Sequence, residues 1–321
     1  MKLTKIAEKT FVKILLFVLI CMIWGSTWFV IKLGLKDLPV LFSLSLRFLT
    51  ASVVLLVILK LFNIQIPINE KQIYLYLYLT LFSFLFPFSL VYWAEVTIPS
   101  NLASILFSTM PFFAAIFSRI FLKEELNFLQ QTGLVLGFIG VALIFRIDTK
   151  HFGGDVLFQN SRFLLSMVAV LVSAFLNASV LIMVKKYGMG IHPLAINFIP
   201  LSLSGIILFI ISSIIEDWSS IKFGVNGVGS VIYLGVFGSI VTFTIYYWLL
   251  RKVPAVIMSL TAFLTPVFAV LIGVFIGGEV ITSNIIFGAT FVLIGMLFVN
   301  SSLILKNFNR RKIISEKDAN H

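Results

Sequence analysis

The sequence predicts an all-α polytopic membrane protein of ten transmembrane helices, built as two inverted five-helix repeats. Three observations lead to this fold class: an apolar composition, a series of uncharged runs of membrane length, and a second half that repeats the first. Hydrophobic residues make up 60% of the 321 residues and charged residues 12%, whereas soluble domains carry about 25% charged residues. A chain with so few charged residues is expected to fold in a lipid bilayer. The bilayer is therefore a predicted partner of this protein.

Uncharged runs of about 20 residues, the length that crosses the bilayer core, account for nine of the predicted helices. The tenth span is interrupted only by Arg47. The first run follows four lysines, as a secretory signal would. It lacks a small-residue cleavage site and precedes nine more spans, so it is interpreted as the first helix. The ten predicted spans cover residues 14–31, 38–61, 72–94, 96–118, 126–145, 163–184, 187–215, 223–250, 253–278 and 280–305.

Basic residues lie mainly in alternate connections between these spans. With a cytoplasmic N-terminus, 17 Lys and Arg fall on the cytoplasmic side and 6 fall outside. This positive-inside bias predicts a multi-pass protein of the cell membrane with both termini in the cytoplasm. Because the basic residues are spread over six segments, the net charge of +11 does not indicate nucleic-acid binding. The single cysteine, Cys21, excludes an intramolecular disulfide.

A shift of 155 residues superimposes the second half of the chain on the first without a gap. The matched positions are Tyr92 with Tyr247, Trp93 with Trp248, Pro99 with Pro254, Ser104 with Ser259, Pro111 with Pro266, Glu124 with Glu279, Gly133 with Gly288 and Gly140 with Gly295. The predicted segments are a cytoplasmic start (1–13), a first repeat (14–150), an external linker (151–162), a second repeat (163–303) and a basic cytoplasmic tail (304–321).

Each predicted repeat holds five spans, an odd number, so the second copy must cross the membrane in the opposite direction. Two equivalent, inverted halves can exchange conformations and open a central site to either side in turn, as in many secondary transporters. The alternative is a duplicated helical bundle without a transport role. Packing alone explains an inverted duplication poorly, so the transport interpretation is preferred.

Several motifs resemble those of the drug/metabolite transporter superfamily, in particular its ten-helix EamA type. The first helix reads IWGSTWF at 23–29, and the second contains Leu46-Arg47-Phe48-Leu49. The most specific stretch, 92–144, has two prolines, then Leu-x-x-Glu, then Gly-x-x-x-Gly. The resemblance covers roughly 14–303 and implies a carrier of small organic solutes, often an exporter of amino acids or related metabolites. It implies no cofactor.

Two charged residues are candidates for the transport site. Arg47 is the one charge well inside a predicted span, where charged groups usually face a partner or a cavity. It can hold a carboxylate or phosphate by a bidentate contact, or it can extend to the outer headgroups. Glu95, at the outer end of the third span, is the acidic candidate for proton coupling. The alternative for Glu95 is a solvated carboxylate at the end of a span.

Two repeat-related prolines, Pro111 and Pro266, lie near the middle of the fourth and ninth spans. Proline removes a backbone donor and kinks a helix, so the pair suits gating helices or a static curvature of the bundle. Glu124 and Glu279 follow these spans, and each is predicted to bind backbone amides at a helix N-terminus. The spacing Gly273 to Gly277 suits close helix packing.

Polar and aromatic residues near the middle of the membrane are candidates for substrate contact. Paired aromatics close to the span ends suit gates or the interfacial belt that Trp and Tyr commonly form. The mid-membrane candidates are Trp24, Ser26 and Thr27 in the first helix, Asn177 in the sixth and Asn101 early in the fourth; the paired aromatics are Tyr92, Trp93, Tyr247 and Trp248.

Other functional classes fit the sequence less well. A membrane enzyme would need a catalytic constellation, but the chain has no HExxH metal helix and no paired membrane acids. A primary pump would need a GxxxxGK[ST] loop, which the sequence does not contain. A channel would need polar rings or filter loops, which the mostly short connections do not offer. We therefore predict a non-enzymatic secondary transporter of small organic metabolites, amino acids or derivatives first, exported by alternating access. A carrier of cationic amphiphiles, a non-transporting scaffold and a homodimeric assembly remain alternatives.

Overall fold

The structure, a computed structural model, describes residues 2–121, 123, 125–145, 158–188, 190–250, 253, 258 and 261–299. Within these ranges the chain forms helices and their connections, and no strand. The helices are α1 (Lys2–Gly34), α2 (Val40–Leu61), α3 (Glu70–Glu95), α4 (Ser100–Phe121), α5 (Phe128–Phe145), α6 (Phe158–Tyr187), α7 (Pro193–Ile215), α8 (Val225–Ile232, Tyr233–Val241 and Thr242–Leu250), α9 (Thr261–Phe275) and α10 (Ser283–Val299).

Seven of these helices are long and apolar enough to cross a membrane, and the shorter α5, α9 and α10 are apolar too. The all-helical membrane fold predicted from the sequence is therefore confirmed. Two details differ from the predicted spans. Helix α1 begins at Lys2, so the cytoplasmic start continues into the first span, and α6 begins at Phe158, within the segment predicted as a linker. The predicted tail, 304–321, lies outside the described residues.

Helices α5 and α10 pack against each other along a seam of glycines. A Cβ placed on Gly133 would lie 2.6 Å from the carbonyl oxygen of Gly295, and one placed on Gly140 would lie 2.6 Å from that of Gly288. The earlier residue of α5 thus meets the later residue of α10, so the two helices are antiparallel. Because α5 and α10 are the same helix in the two repeats, the repeats are inverted. The missing side chains allow this close approach.

The other contacts between repeats are also reciprocal. Helix α2 packs on its equivalent α7, where Leu49 covers Gly205 and the hydroxyls of Ser52 and Ser202 are hydrogen-bonded. Helix α1 packs on α9 and α8, while its equivalent α6 packs on α4 and α3. Each contact made by one repeat is therefore returned by the other, as a two-fold relation requires.

Helices α3 and α8 each contain a π-helical segment, at Thr80–Leu85 and Tyr233–Val241. The 155-residue shift places the first segment inside the second. π-Helical turns are rare and occur often at functional sites. Neither segment was predicted, because wide helical turns leave no mark in the hydrophobic pattern.

The mid-membrane prolines have different effects. Helix α4 is interrupted at Ser108–Thr109, directly before Pro111, and their side-chain hydroxyls donate to the carbonyls of Ile105 and Leu106. Helix α9 runs without a break through Pro266. The predicted kink is therefore visible as a helix break at Pro111 but not at Pro266.

The helix ends form two chemically different faces. We call one the acidic end; it comprises the connections 35–39, 96–99, 216–224 and 276–282 and contains Asp37, Glu95, Glu216, Asp217 and Glu279. We call the opposite face the lysine-rich end; its basic residues include Lys13, Lys60, Lys71, Arg119, Lys123, Lys185 and Lys186. Helices α2, α4, α8 and α10 start at the acidic end, and α3, α5 and α7 start at the lysine-rich end.

Candidate functional site

Arg47 lies inside the bundle, two turns from the start of α2. Its side chain is 5% exposed, its Nη1 donates to the hydroxyl of Tyr92 at 3.3 Å, and its guanidinium carbon lies 4.9 Å from the centre of the Phe88 ring. Both partners are in α3. Arg47 therefore does not extend to the headgroups. It is held between helices by a hydrogen bond and a cation–π contact.

Glu95 ends α3 at the acidic end and is 1% exposed, so it is not the solvated span-end carboxylate considered as its alternative. It lies within electrostatic reach of Lys32, Glu279 and Arg47. Among the described residues, none donates a hydrogen bond to either of its carboxylate oxygens. A buried carboxylate without donors costs free energy, which makes Glu95 available to a ligand.

Asn101 and Ser100, in the first turn of α4, add further unpaired groups. Both are fully buried, and neither side chain has a hydrogen-bond partner in the described part of the chain. Their backbone N–H groups, in contrast, donate to Glu279, at 2.8 Å from Ser100 to Oε1 and 2.9 Å from Asn101 to Oε2. Native structures leave few such polar atoms unpaired, so this group of side chains is a binding-site candidate.

Lys32 connects these residues to α1. Its Nζ donates to the carbonyl of Ile98 at 3.1 Å and lies 3.7 Å from Glu279 Oε1. The result is a set of two basic and two acidic side chains with neutral polar neighbours between α1, α2, α3, α4 and the α9–α10 connection. We call it the polar cluster; its members are Lys32, Arg47, Tyr92, Glu95, Ser100, Asn101 and Glu279.

A second polar contact lies deeper in the bundle. The hydroxyl of Ser26 is hydrogen-bonded at 2.7 Å to that of Tyr233, in the π-segment of α8. The repeat equivalent of Tyr233 is Tyr78 of α3. The hydroxyl of Tyr78 donates to Ser179 of α6 at 2.7 Å. Both pairs join the first helix of one repeat to the third helix of the other.

The other first-helix candidates take packing positions. The Thr27 hydroxyl donates to the carbonyl of Trp24 at 2.6 Å. The Trp24 ring packs on Phe243 and Tyr246 of α8, with centroids 5.8 and 5.4 Å apart. The methyl carbon of Thr27 packs against Gly238 of α8, where an added Cβ would lie 3.0 Å from it, so both side chains help join α1 to α8.

The remaining predicted site residues lie away from the polar cluster. Trp93 and Trp248 are 38% and 44% exposed on the outer surface of the bundle, which fits the interfacial belt better than a gate. The Nδ2 of Asn177 lies 3.5 Å from the carbonyl of Ser83, in the π-segment of α3. The side chain of Tyr247 lies outside the described residues.

Three members of the polar cluster, Lys32, Ser100 and Glu279, were not predicted as site residues. Lys32 is one of the six basic residues that the charge pattern assigns to the outer side, and Glu279 is predicted only as a helix cap. The cap is real, but Glu279 binds α4 of the first repeat rather than a helix of its own repeat. A signal was present: Pro99 precedes α4 and has no side-chain acceptor, so that helix start required one from elsewhere. The equivalent Glu124 lies outside the described residues.

Apolar helices in two inverted repeats, with charged side chains buried between them, are typical of membrane transporters. The comparison with known families agrees. The EamA-like transporter family matches residues 12–146 and again 164–301, one match for each repeat. The chain belongs to this family and is a membrane transporter of small molecules. Its family and its relatives indicate a transporter rather than an enzyme.

The relatives extend over nearly the whole chain. An uncharacterized transporter of Buchnera aphidicola subsp. Schizaphis graminum is 28% identical over 92% of this chain and 95% of its own length. The uncharacterized transporter YoaV of Bacillus subtilis is 28% identical over 94% and 100%. The uncharacterized inner membrane transporter YedA of Escherichia coli K12 is 29% identical over 81% of each chain.

One protein crystal structure also superposes on this chain, with a TM-score of 0.62 over 92% of this chain and 97% of the other. At 14% sequence identity this similarity shows the fold alone.

Proposed function

We propose that this transporter carries small zwitterionic metabolites, amino acids or their derivatives first, and exports them across the cytoplasmic membrane by alternating access. The observation that carries the proposal is the polar cluster, in which Arg47 and Glu95 are buried with unpaired polar atoms. We take the acidic end as the outer face, because the lysine-rich end matches the cytoplasmic side of the positive-inside pattern.

The chemistry of the cluster favours a solute that carries both charges. A carboxylate on the ligand would accept from the guanidinium of Arg47, whose Nε has no partner in the described structure. An ammonium group would donate to the oxygens of Glu95. The amide of Asn101 can either donate or accept. Each of these contacts would give a hydrogen-bond partner to a buried group that lacks one, so binding would recover part of the desolvation cost of these groups.

Counterflow in proteoliposomes tests this assignment. The wild-type protein should exchange a labelled amino acid saturably against unlabelled amino acid. Arg47→Gln should weaken competition by the amino acid by at least about tenfold, because a charged hydrogen bond contributes about 1.5–3 kcal/mol, but should spare its decarboxylated amine. Glu95→Gln should show the opposite selectivity, affecting the amine and sparing the deaminated acid. Unchanged competition in both variants would refute the assignment.

Glu95 is also our proposed coupling group, since it is buried and neither of its carboxylate oxygens has a hydrogen-bond donor in the described residues. If its carboxylate exchanges a proton with each transport cycle, Glu95→Gln should abolish accumulation driven by a pH gradient while exchange between equal pools continues. Gradient-driven accumulation that persists in a correctly folded Glu95→Gln protein would remove the coupling role.

A carrier of cationic amphiphiles is the second candidate, favoured by the acidic Glu95 one helical turn from the aromatic Tyr92 in α3. It predicts that Arg47→Gln leaves efflux of every tested substrate unchanged, whereas Glu95→Gln abolishes it. A non-transporting scaffold predicts no saturable exchange of any solute in the same vesicles.

A further inference from the structure

Two glutamates of the second repeat bind helix starts of the first repeat in the same way. Glu216, at the end of α7, accepts from the backbone N–H of Leu41 at 2.8 Å and of Phe42 at 2.9 Å, one with each carboxylate oxygen. Glu279 accepts from Ser100 and Asn101 at the same two distances. Each carboxylate thus binds two consecutive N–H groups in the first turn of α2 or α4.

These helices need an acceptor from elsewhere. Helices α2 and α4 begin after Pro39 and Pro99, which have no side chain that can accept from the first-turn amides. Helix α8 begins after Gly224 and has no side-chain cap of its own. The carboxylate of Asp37, at the end of α1, accepts from the N–H of Gly227 at 2.8 Å. All three caps cross from one repeat to the other.

Helix starts at the lysine-rich end are capped locally instead. The side chain of Asn69 accepts from Gln72 at the start of α3, at 3.0 Å. Asn127 and Gln130 exchange side-chain and backbone hydrogen bonds at the start of α5, the reciprocal arrangement of a capping box. His192 accepts from Leu194 at the start of α7. In these helices the capping groups travel with their own repeat.

The position of the crossing caps relates them to the polar cluster. Glu279 binds the same turn of α4 that presents the unpaired side chains of Ser100 and Asn101, and its other neighbour is Lys32. Helix α4 cannot move away from α9 at this end unless these hydrogen bonds are broken. With them in place, Glu95 and Asn101 are 1% and 0% exposed, so the cluster is closed at the acidic end.

We propose that Asp37, Glu216 and Glu279 form a gate that closes the acidic end by capping helices of the opposite repeat and opens when these helix starts are released. The gate rests on the proposed function, because it regulates access to the polar cluster as a transport site. A negatively charged side chain suits this gate, because a helix N-terminus stabilises a carboxylate. When the helix moves away, water takes the place of the carboxylate at the helix start. Hydrogen bonds between a carboxylate and helix amides can therefore hold the acidic end closed and still break when the helix moves.

A cysteine-accessibility experiment tests the gate without requiring a substrate. Cys21 is the chain's only cysteine, so Cys21→Ala gives a background in which Ser104→Cys is the single thiol. Ser104 is 2% exposed and lies one turn below Asn101. In purified protein, Glu279→Gln should increase the rate of labelling by a polar maleimide about tenfold. Such a change corresponds to about 1.4 kcal/mol.

The matched control is Asn69→Ala, which removes one helix cap at the lysine-rich end without crossing between repeats. Its labelling rate at position 104 should stay within about twofold of the background, since about 1 kcal/mol of helix stability is lost there without affecting the acidic end. Equal acceleration in both variants would show general loosening and overturn the gate. Unchanged labelling in Glu279→Gln would overturn it as well.

A second glutamate keeps the test decisive if Glu279→Gln does not fold. Glu216→Gln, placed in the same Ser104→Cys background, should also accelerate labelling, because it frees α2 at the same end. The labelling result can be separated from the transport result. If the glutamate variants label faster but the wild-type protein exchanges no amino acid, the proposed transport of zwitterions is refuted and the gate is not. Normal exchange with unchanged labelling in both glutamate variants would do the reverse.

Discussion

The two repeats have nearly the same architecture but differ in the charges that they bury. The seam glycines, the π-segments and the tyrosines Tyr78 and Tyr233 occur at positions related by the 155-residue shift, and each tyrosine is hydrogen-bonded to a serine in the first helix of the opposite repeat. The buried charges do not. Arg47 lies in α2, whereas its equivalent helix α7 has no charged residue from Pro193 to Ile215, and the shift pairs Glu95 with Leu250. Inverted symmetry therefore governs packing, while the chemistry of the site belongs mostly to the first repeat.

This difference shows why a duplicated fold can carry an asymmetric site. Equivalent packing contacts at the seam allow the two repeats to exchange conformations without a large bias, because an unequal contact shifts the equilibrium towards one state. A binding site needs only one set of charged groups. Burying a second arginine and a second glutamate would add several kcal/mol of desolvation cost per ion and no further binding.

The largest expected effect tests the symmetric part. Gly140→Val and Gly295→Val would each place side-chain carbon against a facing backbone, and each should cost about 3 kcal/mol by overpacking. The two variants should be destabilised equally, within about 0.5 kcal/mol, in a thermal-unfolding assay in detergent. Gly229→Ala is the control, since a Cβ at that position has no atom within 4 Å. Clearly unequal losses would contradict a symmetric seam.

A smaller effect on stability, of opposite sign, is expected in the asymmetric part. Glu95→Leu introduces the residue type that the second repeat has at the equivalent position. Because a buried carboxylate without donors is replaced by an apolar side chain, the free energy of unfolding should stay unchanged or rise by about 1–2 kcal/mol. Counterflow of amino acids should be lost in the same protein. A strongly lowered midpoint would mean that Glu95 is a structural group.

The smallest effect concerns the mirror hydrogen bonds. Tyr233→Phe removes the partner of Ser26, and Tyr78→Phe removes that of Ser179. Each should cost about 1 kcal/mol, the net contribution of one neutral hydrogen bond, and the two losses should be equal. A larger fall in transport for Tyr233→Phe at equal stability would show that Ser26 also contacts the solute. Equal transport in both variants would assign the two pairs to packing alone.

Much of the site was predictable in type but not in arrangement. Arg47 and Glu95 stood out because charged residues are rare in apolar spans. Their arrangement was not predictable, since Lys32, Arg47 and Glu95 come from three different helices. The paired aromatics were ambiguous for a similar reason: Tyr92 is buried and Trp93 exposed although they are adjacent, because successive helical residues face different directions.

The sequence alone determined the class of fold, the number of helices and the inverted duplication, because hydropathy, charge bias and a repeated motif are local or periodic properties of the chain. Tertiary structure decided which charges meet. Glu279 shows the distinction best: the sequence indicated that it would bind a helix N-terminus, and only the packing of α9 against α4 determined which one. A cap that crosses between repeats depends on the distance between two helices, and no local pattern encodes that distance.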